Sequence, residues 1–245
     1  MSPRPRALIT GASSGLGRGY ARTLAAEGYD LVLVARGEAR LESLAAQLRT
    51  TQNIHAEAAV ADLSTRDGID AVNEIIETQP IDVLINNAGF GGENELVDMT
   101  DEDWDRVLDI TLNGTFRATR AALRYFRDVP HNGVIVNNAS VLGWRAQRAQ
   151  AHYAAAKAGV MALTRSSAIE GADFGVRINA VAPSIARHKF LEKSASSELL
   201  DELASKEAFG RAADVWEVAA TIAMLASDYT TYLTGEVISI SSQRA

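Results

Sequence analysis

There is no cysteine anywhere in the 245 residues. Disulfides, thiolate metal ligands and cysteine nucleophiles are thereby excluded. Histidine is scarce as well: His55, His131, His152 and His188 lie scattered without metal-ligand spacing, so no metal is expected. No uninterrupted apolar run approaches the roughly 20 residues that a membrane span needs. The opening Met-Ser-Pro-Arg-Pro-Arg leads straight into an apolar strand pattern with no signal-peptide core. An excess of positive charge is also missing, the net charge being −7, which argues against a nucleic-acid or anionic-membrane surface. The expectation is a cytoplasmic protein with no nucleic-acid and no membrane partner.

What the chain does have is alternation. Short β-rich apolar runs at 6–10, 30–35, 54–61, 81–86, 133–139, 177–182 and 236–240 are separated by helical patterns near 15–28, 38–50, 65–78, 101–128, 151–172 and 214–227. Strands that alternate with helices make a parallel sheet covered on both faces. With 47% hydrophobic residues and no linker or repeat, residues 1–245 read as a single α/β domain, a Rossmann-type doubly wound parallel sheet of about seven strands. The segment 184–213, rich in polar residues, breaks the rhythm after the sixth strand, as a substrate lid would.

Directly after the first strand comes Thr10-Gly-Ala-Ser-Ser-Gly-Leu-Gly17, which opens the first helix. Glycines there allow a tight turn and bring the backbone close to a pyrophosphate, whose charge faces the free N–H groups of the helix. Gly11, Ser13, Ser14, Gly15, Leu16 and Gly17 are therefore cofactor-binding candidates. An acidic residue at the end of the second strand suits an unphosphorylated ribose, whereas an arginine suits a 2′-phosphate. Ala35 and Arg36 stand there, so NADP is favoured over NAD, with NAD left open and Glu38 close by to temper the arginine.

A second constellation joins Ser140, at a strand end, to Tyr153 and Lys157. Residues four apart share one helix face, so the phenol and the ammonium can enter one pocket. A tyrosine has a pKa of about 10, and making it an acid near neutrality requires about 4 kcal/mol, which a fixed cation can supply. Such a tyrosine can exchange a proton with an alcohol or a carbonyl, while the serine holds the same oxygen.

These motifs, in this order and spacing over essentially the whole length, resemble those of the short-chain dehydrogenase/reductase family: Thr-Gly-x-x-x-Gly-x-Gly at 10–17, Asn86-Asn-Ala-Gly89, Ser140 and Tyr153-x-x-x-Lys157. The resemblance implies that Tyr153 is the catalytic acid/base, that Lys157 lowers its pKa and holds the nicotinamide ribose, and that Ser140 positions the substrate. It also implies cofactor contacts from Asp62 and Leu63 at the adenine, from Asn87, Ala88 and Gly89, and from Pro183 near the nicotinamide. The implied reaction moves a hydride between NADP(H) and a small-molecule secondary alcohol or ketone, with β-ketoacyl thioesters and steroid-like or cyclic ketones as candidates. A nucleotide-binding regulatory or scaffold protein of the same fold, and an epimerase or dehydratase with tightly held cofactor, are the alternatives.

The pattern departs from the family at several positions. Thr111 stands where an asparagine is usual, Ser184 where a glycine follows the proline, and His188 where a threonine is common. Ile240-Ser-Ser-Gln243 replaces Val-Asp-Gly-Gly. Leu142, Trp144, Phe190, Arg145 and Arg148 are candidate pocket residues. Alanine-rich faces on the helices at 101–128 (Ala118, Ala121, Ala122) and 151–172 (Ala154, Ala158, Ala162) suggest close helix packing in a homotetramer or homodimer.

Overall fold

The computed structural model describes residues 4–129, 132–188, 191–193 and 196–242. Seven parallel strands form one sheet: β1 (Arg6–Thr10), β2 (Asp30–Ala35), β3 (Ala56–Val60), β4 (Val83–Asn86), β5 (Val134–Asn138), β6 (Arg177–Pro183) and β7 (Val237–Ile240). Their order is β3-β2-β1-β4-β5-β6-β7. The chain thus winds outward from β1 to β3, returns, and winds the other way from β4. Ligands of such sheets bind beyond the carboxyl ends of the strands, in the crevice where the winding reverses, here between β1 and β4.

The helices are α1 (Gly15–Ala26), α2 (Glu38–Gln52), α3 (Arg66–Thr78), α4 (Asp101–Leu108), α5 (Gly114–Asp128), α6 (Ala151–Ala172), α7 (Ser197–Ser205) and α8 (Val215–Ala226). Alternate residues of a strand point to opposite faces. Accordingly Ala7 and Ile9 pack with Tyr20, Leu24, Leu41, Leu44 and Ile222 from α1, α2 and α8, while Leu8 packs with Ile69, Val72, Ile76, Ala122 and Phe126 from α3 and α5. This is the doubly wound, Rossmann-type arrangement. Leu8 is fully buried, so Leu8→Ala would cost about 2–5 kcal/mol. Thr65 caps α3 by accepting from Gly68 N–H at 3.1 Å. Thr100 and Asp103 cap α4 reciprocally, satisfying orphan donors of the first turn.

The helix expected over 101–128 is present over that whole span, and within it Asp109–Asn113 form a wide π turn, where i→i+5 hydrogen bonding inserts an extra residue and Thr111 is buried. One expectation changes. Ala118, Ala121 and Ala122, expected at a subunit interface, are buried against the sheet within the single chain, because they share the inward face of α5 with Phe126. Ala154 and Ala158 are half-buried and Ala162 is exposed. Among the described residues, no helix is long and apolar enough to cross a membrane.

Candidate active site

A cleft of about 740 Å³ runs across the carboxyl end of the sheet. Of the residues singled out for cofactor binding and catalysis, all but one line it: Gly11, Ser13, Ser14, Gly15 and Leu16 at the loop, Arg36, Asp62, Leu63, Asn87 to Gly89, Ser140, Tyr153, Lys157 and Pro183. The exception is Gly17. A Cβ there would lie 2.3 Å from the Gly11 carbonyl oxygen and 2.5 Å from Asn87 Nδ2, so Gly17 lets the loop close on itself rather than facing a ligand.

The loop fits a dinucleotide phosphate. Gly15 has φ +54°, in the left-handed region that favours glycine. Ser14 is the N-cap of α1 but makes no side-chain cap bond, and the first turn holds no acidic residue, leaving its N–H groups for an anion. The His188 ring lies over this point, its Cε1 3.2 Å from where a Gly15 Cβ would be. Burial lowers the His188 pKa, and its Nδ1 accepts from Leu191 N–H at 3.1 Å. At the end of the cleft beside β2, Arg36 faces the Asp62 carboxylate at 4.0 Å. Burial tends to raise the Asp62 pKa, but the Ser64 N–H and hydroxyl, with Arg36 and Arg106, outweigh it and hold the carboxyl low.

β5 delivers the reacting end. Ser140 caps the short turn Val141–Gly143 and accepts from Leu142 N–H at 3.2 Å. It also stands close enough to the Tyr153 phenol to pull that group's pKa downward. Behind the tyrosine, the Lys157 ammonium lies 5.6 Å from the ring centroid and donates to the Asn138 carbonyl. The Asn138 side chain accepts from the Tyr20 hydroxyl at 3.2 Å and donates to Asn87 Oδ1 at 3.1 Å. Asn87 Nδ2 in turn donates to the Thr10 carbonyl at 3.0 Å. One hydrogen-bonded path therefore joins the glycine loop to the lysine.

The electrostatic relation within this group differs from the sequence expectation. Burial pushes the Tyr153 phenol up to about 12, with the Ser140 hydrogen bond opposing the shift. Burial also pulls the Lys157 ammonium down to about 8. The cost of enclosing the phenolate's charge thus exceeds what the Ser140 hydroxyl gives back. The lysine is turned to a backbone carbonyl rather than to the phenol oxygen.

Thr111 and Lys157 both flank Gly89, where an added Cβ would lie 3.2 Å from Thr111 Oγ1 and 3.7 Å from Lys157 Nζ. The Thr111 Oγ1 lies 3.4 Å from both the nitrogen and the carbonyl oxygen of Phe90. At the substrate end, Leu142 and Arg145 line the cleft, as do Ile185, Leu191, Leu199 and Leu203. Trp144 is half-exposed and Arg148 pairs with Glu95 at 2.6 Å on the surface, so neither of these two candidates belongs to the cleft wall. Phe190 and Gln243 lie outside the described residues. The sequence reading missed Asn138, Arg40 and Glu207, which line the cleft. Arg40 lies in the first turn of α2, just after the turn that holds Arg36, but nothing local marks Asn138 or Glu207. Among the described residues no cluster of side chains could hold a metal ion.

A family model described as short chain dehydrogenase matches residues 5–199. The chain is 62% identical over 234 residues to the Mycobacterium tuberculosis protein named (5R,7aS)-5-hydroxy-7a-methyl-1-oxo-2,3,5,6,7,7a-hexahydro-1H-indene-carboxyl-CoA reductase, covering 95% of this chain and 89% of that one. It is 35% identical to a 3-oxoacyl-acyl-carrier-protein reductase of Staphylococcus aureus, covering 96% of each. A crystal structure of a variant actinorhodin polyketide ketoreductase with NADPH superposes with TM-score 0.89 at 28% identity, over 98% of this chain and 96% of that one.

Proposed function

Because the chain belongs to the short-chain dehydrogenase family, and is an oxidoreductase acting on CH–OH groups, we propose that it interconverts a ring ketone and a secondary alcohol on a CoA-linked, fused-ring substrate, using NADP(H). The observation that carries this reading is the meeting of Ser140, Tyr153 and Lys157 in the cleft that the glycine loop also lines. The substrate class is supported by the 62% identity to the M. tuberculosis CoA reductase. It is also supported by the apolar wall of Leu142, Ile185, Leu191, Leu199 and Leu203, which suits a ring system better than a charged head group.

A nicotinamide held by the glycine loop, Asn87 to Gly89 and Lys157 would supply or accept the hydride at the carbon. In the reducing direction the Ser140 hydroxyl donates to the ketone oxygen and holds it beside the phenol. Tyr153 then gives its proton to that oxygen as negative charge develops there. The phenolate left behind is stabilised by the Lys157 ammonium and regains its proton from solvent. The reverse reaction uses the same groups in the opposite order. Both hydroxyls line one cleft, so the substrate oxygen would meet a pair of donors held by the protein.

A β-ketoacyl thioester on a carrier protein is the second reading, favoured by the 35% identity to the S. aureus reductase over nearly the full length. The test is loss of NADPH absorbance with a CoA thioester of a bicyclic ketone, run beside an acetoacetyl thioester and a steroid ketone. Turnover greatest on the bicyclic thioester, and abolished in Tyr153→Phe, is the expected result. Faster turnover of the acetoacetyl thioester would move the assignment to the second reading, and no turnover of any ketone would favour a binding protein of the same fold. Assembly as a homodimer or homotetramer through the uncovered side of α6, around Ala154, Ala158 and Ala162, is part of the proposal and is checked by light scattering.

A further inference from the structure

The segment between β6 and α8 leaves the sheet and returns to it. Its base is pinned by two backbone hydrogen bonds, Ala213 N–H to the Ile185 carbonyl at 2.9 Å and Arg187 N–H to the Ala213 carbonyl at 3.1 Å. Between them α7 presents Leu199, Leu200 and Leu203 to the cleft. Some of the ties that hold this excursion are exposed ion pairs, Arg187 with Glu192 at 3.4 Å and with Asp201 at 2.8 Å, and such pairs fix little.

Glu207, just past α7, is held differently. It is half-buried and lines the cleft. Its Oε1 accepts from the Ser184 hydroxyl at the end of β6, and its Oε2 accepts from the Ser242 hydroxyl beyond β7 at 3.1 Å. The backbone closes the same joint, Ala208 N–H donating to the Ser242 carbonyl at 3.0 Å. Hydrogen bonds to an ionised acceptor are about twice as strong as neutral ones, and here both carboxylate oxygens are used on hydroxyls that follow two different strands. Ser184 and Ser242 stand at two positions where the family pattern has glycine, which has no hydroxyl to donate. Two departures that look unrelated in the sequence therefore meet on one carboxylate. One residue earlier, Ser241 accepts from Arg145 at 3.3 Å, so the same tail also reaches the opposite wall of the cleft.

We propose that Glu207, latched by Ser184 and Ser242, is a positioning residue that sets how deeply α7 reaches over the substrate end of the cleft and so determines which ring substrates fit. The inference rests on the reading of the cleft as a ketone-reducing site, but its first test does not need turnover. Hydrogen–deuterium exchange of the cofactor-free protein, read by peptide mass spectrometry, is compared among wild type, Glu207→Ala, Glu207→Gln and Ser242→Ala. Exchange over 197–209 should rise most in Glu207→Ala, less in Ser242→Ala and least in Glu207→Gln, which keeps an acceptor, while peptides of β1 and α1 stay unchanged. With a ketone substrate, Glu207→Ala should raise KM about tenfold, change kcat little, and leave NADPH affinity within about twofold of wild type. Unchanged exchange over 197–209 in Glu207→Ala would overturn the latch whatever the enzyme's substrate. Increased exchange with KM unaltered would retain the latch as a structural tie and overturn its role in substrate fit. Absence of turnover in wild type would count against the proposed reaction, leaving the exchange result to decide the latch.

Discussion

The two ends of the cleft are built by different means. The cofactor end is shaped by backbone: it rises from β1 and β4, whose residues are almost wholly buried, and its loop depends on Gly15 in the left-handed region and on Gly17 packed against the Gly11 carbonyl. The substrate end is shaped by side chains on connecting segments, through hydroxyl bonds to Glu207 and surface pairs such as Arg187 with Asp201. A backbone cradle tolerates few residues at its tight points, whereas a wall of side chains can change shape while the sheet stays the same. The difference explains how one fold can hold one kind of cofactor and accept many substrates.

Tyr153 sits where the two ends meet, and removing its hydroxyl is expected to have the largest effect. Tyr153→Phe keeps the ring and its packing but loses the proton donor, so turnover should fall by about 10²–10⁴, with NADPH binding nearly unchanged in a fluorescence titration. Near-normal turnover on a genuine substrate would mean that the proton comes from another group. Gly17→Ala probes the backbone end in the same spirit. The added methyl would lie 2.3 Å from the Gly11 oxygen and 2.5 Å from Asn87 Nδ2, so the loop must open. A loss of about 1–3 kcal/mol of stability should accompany a large loss of NADPH affinity, read together by urea unfolding and titration. If the variant bound NADPH normally, tight closure of the loop would not be what makes the cradle.

This division also governs what could be read from the chain alone. The buried strands announce themselves as apolar runs because both sheet faces are covered, and the glycine loop does so because few residue types can replace glycine where backbone meets backbone. The common helix face of Tyr153 and Lys157 follows from helix periodicity, and the place of Ser140 just past β5 from the strand pattern. The helix over 101–128 follows as well, but the wide turn at Asp109–Asn113 inside it does not, because five residues of π-helix leave the polar and apolar spacing within each flanking stretch intact. The inward position of Ala118, Ala121 and Ala122 was hidden for a related reason, since a small apolar residue suits a sheet face as well as a subunit face. Asn138 and Glu207 act through partners 51 and 35 residues away, Asn87 and Ser242, and no local pattern encodes such contacts.

Lys157 offers a test in which function and stability pull apart. Its amine is drawn down to about 8 from 10.5 by burial. Above the higher value both folded and unfolded chains are neutral there and the group has no effect. As the pH falls from 10.5 to about 8, the unfolded chain takes up a proton that the folded chain resists, and stability declines. Below that window both states are charged, and the folded protein bears the full cost of the enclosed ammonium. Lys157→Met should therefore abolish most turnover yet stabilise the cofactor-free protein by about 1–3 kcal/mol near neutral pH, less whatever the Asn138 hydrogen bond contributes. The gain should vanish in alkaline unfolding experiments. A variant less stable than wild type at neutral pH would show that the bond to Asn138 outweighs the cost of burial.

The smallest effect is expected at the rim of the cofactor end, where side chains in solvent take over from backbone. Arg36 is two-thirds exposed and shares its charge with Asp62 at 4.0 Å, while Arg40 lines the same stretch of the cleft. A 2′-phosphate bound there would draw on both guanidiniums, but water and salt screen each of them. Arg36→Ala should weaken NADPH binding by about tenfold, corresponding to one charge-assisted hydrogen bond, and leave NADH binding almost untouched. Arg40→Ala should do the same to a lesser degree, and raising the salt concentration should shrink both differences. Removing Asp62's charge with Asp62→Asn should, by contrast, free Arg36 and sharpen the preference for NADPH. Equal losses for NADPH and NADH in Arg36→Ala would place the arginine among the groups that hold the loop together rather than among those that read the phosphate.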